Sequence, residues 1–169
     1  IALALAAQLA PVPPPPTSIY SDPAGYDLPY PECTPAHIAA LPAPLPQGFA
    51  IVGANAGRMF RYNPCLATLW KWAGGFALRS LYINTNAAAG PTIVQGATGP
   101  AGACKKTDRV CYGYNYGYNG ARAAWRYAYH ELGPANLPDI WWLDVEVDNV
   151  WDTAPDKPAE GVKHLVVDR

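Results

Sequence analysis

The run Ile140-Trp141-Trp142-Leu143-Asp144-Val145-Glu146-Val147 decides how this chain reads. It is rich in β-branched and aromatic residues and holds no Gly or Pro, which predicts a strand. Side chains alternate across a strand, so Trp142, Asp144 and Glu146 share one face. Trp141, Leu143, Val145 and Val147 share the other. A strand buried on both faces is nearly all apolar. This one is not, so its apolar set is expected to meet helices while its acids turn the opposite way. Two residues rise about 6.6 Å, which lets neighbouring carboxylates perturb each other. Desolvation and like charge then favour a proton donor beside an ionised partner. The alternative is a solvated strand end, and Asp148, next on the same face, speaks for it. Trp142 beside the pair favours chemistry.

Upstream, the chain alternates strands and helices. Tyr26-Asp27-Leu28-Pro29-Tyr30 is a short strand that Pro29 must close. Thr34-Pro35 caps and opens a helix toward Leu41. Phe49 to Ala54 is an apolar run of the buried parallel type. Asn63-Pro64 repeats the cap-plus-proline signal for a helix that runs to Ala73, where Gly74-Gly75 stops it. Leu78 to Asn84 forms the third strand. A long loop follows, then a helix over about Asn119 to Leu132, with Ala121, Ala124, Trp125, Ala128 and Leu132 at helical spacing. The order β-α-β-α-β-α-β implies an α/β fold with a parallel sheet.

Each of these strands delivers a polar or amphipathic residue at its C-terminal end. Asp27 closes the first and Asn55 the second, while Tyr82 and Asn84 share a face of the third. Asp and Asn often begin loops, so one such residue means little. Four strands in succession make a rim. In α/β barrels the C-terminal strand ends carry the chemistry.

Composition narrows the classes. Lys and Arg number 12 against 13 Asp and Glu, a near balance without the clustered cations of a nucleic-acid surface. No nucleic-acid partner is expected. Nor is membrane insertion, since no apolar run approaches the roughly 20 residues that a spanning helix takes. Residues 1–10 read as the end of a secretory signal, and the proline run 11–16 as an extended spacer, which predicts export. Cys33, Cys65, Cys104 and Cys111 form an even set with no C-x-x-C pair, which favours disulfides over zinc. Three pairings are open. Cys104 with Cys111 closes the shortest loop and would leave Cys33 with Cys65. No metal or cofactor is called for.

Aromatic residues are weighted to 6 Trp and 11 Tyr over 3 Phe, a bias toward rings with a polar edge. Such rings stack on sugars while their edges reach hydroxyls. Trp142 and Trp151 lie nearest the acids. The Tyr112-x-Tyr114-x-Tyr116-x-Tyr118 run reads either as a loop above the site or as a packed turn. Trp70, Trp72 and Trp125 fall on helices and are expected in the core.

Gly25 to Cys33, Ile51-Val52-Gly53-Ala54-Asn55-Ala56-Gly57, Leu81-Tyr82-Ile83-Asn84-Thr85 and Trp141 to Glu146 together resemble exported actinobacterial proteins related to the family 25 glycoside hydrolases. Those are lysozyme-type muramidases built on a β/α barrel. The resemblance implies Glu146 as general acid, Asp144 assisting beside it and Asp27 shaping the subsite. It also implies that the substrate's N-acetyl group serves as nucleophile. Asn55, Tyr82, Asn84, Trp142 and Trp151 are then expected to bind substrate, a cell-wall polysaccharide such as peptidoglycan.

The resemblance covers about residues 24–151. A complete barrel takes eight strands and about 200–250 residues. The chain is therefore expected to divide into a leader and spacer at 1–23, the first half of a (β/α) barrel at 24–151, and a divergent or truncated tail at 152–169. Half a barrel leaves two open sheet edges, a route to self-association, and half a cleft wall. That makes weak or absent turnover an expectation, with a non-catalytic carbohydrate-binding or cell-surface structural protein as the alternative.

Overall fold

Four parallel strands lie side by side in the order in which the chain makes them. They are β1 (Gly25–Leu28), β2 (Phe49–Gly53), β3 (Leu78–Thr85) and β6 (Trp141–Val145), ordered β1-β2-β3-β6. The computed structural model describes residues 24–86, 94–146 and 149. The expected leader, the proline spacer, Asp148, Trp151 and the tail 152–169 lie outside the described residues.

Helices link the strands. Helix α1 (Pro35–Ala40) opens at Thr34, whose hydroxyl accepts from the His37 N–H at 3.2 Å. Helix α2 (Leu66–Ala73) begins two residues later than the Asn63-Pro64 signal suggested. Asn63 instead accepts from the Cys65 N–H (2.9 Å) and donates to the Gly53 carbonyl (2.8 Å), tying the end of β2 to the start of α2. Helix α3 (Arg109–Leu132) precedes β6, and a two-residue hairpin, β4 (Thr98–Gly99) with β5 (Gly102–Ala103), fills part of the loop before it.

The core lies between one sheet face and α2 with α3. Leu28, Ala50, Val52 and Leu81 from the sheet meet Leu66, Leu69, Trp70 and Ala73 of α2 and Ala128 and Leu132 of α3. A second cluster joins Met59, Ile83, Tyr116 and Ala124. Trp141 packs against both. On that side of β6, Leu143 and Val145 stay largely exposed.

Three expectations are corrected. The first strand stops at Leu28, because Pro29 leads into a 3-10 turn over Tyr30–Cys33. Helix α3 starts ten residues before Asn119, with Asp108 as its cap accepting from the Cys111 N–H at 3.0 Å. The tyrosine run is therefore helical, with Tyr112 and Tyr116 buried and Tyr114 and Tyr118 exposed. Trp125 is no core residue. It is 45% exposed and tilts against Tyr129.

Two disulfides are present, Cys33–Cys65 and Cys104–Cys111. The first joins the turn after β1 to the residue before α2. The second joins the loop to the first turn of α3. Among the described residues no helix is long and apolar enough to cross a membrane.

Candidate functional site

The sheet face turned away from the helices carries the polar residues. Register fixes which ones meet. Asp27 lies opposite Ile51, and Ile51 opposite Ser80; Gly53 lies opposite Tyr82, and Tyr82 opposite Trp142; Asn84 lies opposite Asp144. Alternation along β3 therefore puts Ser80, Tyr82 and Asn84 on one face with Trp142 and Asp144 of β6. Glu146 follows directly after the end of β6.

Tyr82 is the common neighbour. Its side chain is 9% exposed. Burial first, then the charges of Asp27, Asp144 and Glu146, push its phenol well above the ordinary tyrosine value. The hydroxyl thus keeps its proton at neutral pH and remains a donor amid three acids.

Asp27 feels the other two acids as well. Partial burial raises its carboxyl above the ordinary aspartate value, and the charges of Asp144 and Glu146 raise it further. The Leu28 backbone N–H opposes this with a hydrogen bond. In a flat sheet β1 and β6 would stand about 14 Å apart, three strand spacings, beyond a Debye length in salt. The two acids at the end of β6 nonetheless bear on both Asp27 and Tyr82 across the face that the strand register sets.

Asp144 is held from the side and from behind. Asn84 Nδ2 donates to its Oδ2 at 2.9 Å, and the Thr85 hydroxyl donates to its carbonyl at 2.7 Å. Trp142 is half-buried, and its indole N–H donates to the Ser80 hydroxyl at 2.9 Å, which pins the ring along the face. Glu146 is exposed and near the rim.

Asn55 stands apart from this face. It is 3% exposed, its Oδ1 accepts from the Asn84 N–H (2.9 Å), and its Nδ2 donates to the carbonyls of Asn84 (2.8 Å) and Arg58 (3.1 Å). Its amide therefore extends the β2–β3 ladder by one rung beyond the backbone. In the loop that follows, Phe60 adopts a left-handed φ of 62° and packs its ring edge on Tyr116. Non-glycine residues hold that conformation only where the surroundings impose it.

The register sets Asp27, Tyr82, Asn84, Trp142 and Asp144 on one face, and Glu146 follows directly after β6. Two contributors were not singled out from the sequence. Asn149 donates to Asn84 Oδ1 and to the Thr85 carbonyl, each at 2.8 Å, and Ser80 anchors Trp142. Ser80 was legible in principle, two residues before Tyr82 on the same face; nothing in the sequence marks Asn149. Among the described residues, no group of three or more His, Cys, Asp or Glu side chains is arranged to hold a metal ion.

No protein-family model, curated protein or solved structure matches this chain.

Proposed function

We propose that this chain is an exported glycoside hydrolase-like domain acting on cell-wall polysaccharide, with its four parallel strands forming part of a β/α barrel. The observation that carries this reading is the strand register, which sets Asp27, Tyr82, Asn84, Trp142 and Asp144 on one sheet face with Glu146 following directly after β6. Carboxylates flanking one site serve the oxocarbenium-like transition state of glycoside cleavage. The two disulfides are consistent with an extracellular setting.

In this reading Glu146, at the solvent edge, gives its proton to the leaving glycosidic oxygen as the bond to the anomeric carbon breaks. The substrate's N-acetyl carbonyl oxygen closes on that carbon, and Asp144 orients the amide N–H. Water then opens the cyclic intermediate and returns a proton to Glu146. Asp27 and Tyr82 line the subsite, and Trp142 offers a ring to the sugar. The test is cell-wall zymography. From half a barrel only weak lysis is expected, and Glu146→Gln should abolish it; lysis indifferent to that change overturns the reading.

Binding without turnover is the second reading. It is favoured by the sheet itself, since β1 and β6 are open edges among the described residues and enclose the face poorly. It predicts glycan affinity that survives Glu146→Gln, with no lysis from either protein.

A further inference from the structure

Asn84 sits at the centre of a chain of amides whose direction is imposed from one end. The Thr85 carbonyl can only accept, so the Asn149 atom 2.8 Å from it is the nitrogen. The same nitrogen lies 2.8 Å from Asn84, which must therefore turn its oxygen toward it. Asn84 is then left to present its NH2 group to Asp144 Oδ2 at 2.9 Å. Flipping either amide would set oxygen against oxygen. Asn84 is only 4% exposed, and Asn55 brackets its backbone N–H and carbonyl, so it has little freedom to turn aside.

We propose that Asn84 and Asn149 are positioning residues: a polarised relay that starts on the Thr85 carbonyl holds Asp144 by Oδ2 and leaves Oδ1 as the oxygen that addresses a ligand. The proposal rests on reading Asp144 as a site acid. The relay itself can be tested without any turnover. A fixed donor selects one orientation of a carboxylate, as outer hydrogen bonds orient the groups that touch substrate.

The experiment exchanges the two partners. Asn84→Asp alone sets two carboxylates face to face and should lower Tm at pH 7 by about 5 °C. Asn84→Asp with Asp144→Asn restores one amide and one carboxylate, with donor and acceptor exchanged between the strands. The carboxylate introduced on β3 still accepts from Asn149, so the rest of the relay is kept. Most of the lost Tm should return. A double variant no more stable than Asn84→Asp alone overturns the relay.

Position is tested separately from stability. Asn149→Ala leaves Asp144 in place but removes the anchor, and should lower kcat about tenfold with KM unchanged. A kcat equal to that of the wild type shows that Asn149 only supports the fold and overturns its positioning role. In the exchanged pair the carboxylate has moved to β3, so turnover should stay lost although Tm recovers; turnover that returns overturns the assignment to Asp144. A wild-type protein without turnover counts against the hydrolase reading alone. The stability cycle then decides the relay.

Discussion

Gly53 and Tyr82 face each other across β2 and β3, and a Cβ on Gly53 would lie 2.9 Å from the Tyr82 hydroxyl oxygen and 3.0 Å from its ring carbon Cζ. The missing side chain on β2 is thus what lets the phenol lie low on the sheet. Gly53→Ala should push the ring off the sheet and cost about 1–3 kcal/mol. A double-mutant cycle with Tyr82→Ala checks this by denaturant unfolding. The cost of the added methyl should largely vanish in the Tyr82→Ala background, and strict additivity would refute the contact.

Asp27 makes the fold sensitive to pH with a definite sign. Its carboxyl is raised in the folded protein, by burial first and by Asp144 and Glu146 next. The native state therefore binds this proton more tightly than the unfolded chain does. Its contribution is most favourable in acid and is lost as pH climbs from about 4 through the raised native value. Asp27→Asn removes that penalty. It should raise Tm at pH 7 by about 2–4 °C and change little at about pH 3, as thermal melts across pH would register.

The two disulfides should differ in what their removal costs. Cys33–Cys65 spans 32 residues and Cys104–Cys111 spans 7. Loop-closure entropy then gives about 3.7 kcal/mol for the longer and about 2.4 kcal/mol for the shorter. Paired Cys→Ser variants compared in urea should keep that order. A reversed order would mean that the first turn of α3 depends on its tether more than entropy alone implies.

Replacing Asn55 tests whether a side chain can serve as part of a β-ladder. Asn55→Leu keeps the branching of the side chain but strands the N–H and carbonyl of Asn84 in a buried place. Each such group costs about 1–3 kcal/mol, so a loss of about 2–4 kcal/mol is expected. Equilibrium unfolding measures it, and a loss under about 1 kcal/mol would show that the neighbouring chain can re-pair.

The four strands were legible because each is a short apolar run whose polar residue falls at its end. The cap at Thr34-Pro35 was legible for the same local reason. The first ten residues of α3 were not. Gly113, Gly117 and alternating tyrosines argue locally for a loop. What supports the helix lies far off in sequence, since the buried Asn115 amide reaches Ala101, Gly102 and Gly96. Trp125 failed by geometry. The buried line of α3 runs Tyr112, Tyr116, Gly120, Ala124, Ala128, Leu132, each four apart, and Trp125 stands one step of about 100° away from it. Within the site, alternation paired Trp142 with Asp144 on β6 and Tyr82 with Asn84 on β3, and the register sets the two pairs on one face. It could not show that the Asn55 amide would turn back onto a backbone, because that depends on where β2 ends.

Trp141 and its neighbour Trp142 give β6 a lock against sliding. One indole is wedged behind the sheet between two interior clusters, and the other is fastened in front to Ser80. A shift by a single residue would exchange them, pulling the Trp142 N–H off Ser80 and taking Asp144 away from the Asn84 amide. The strand that bears the acids therefore has one setting, and both indoles enforce it.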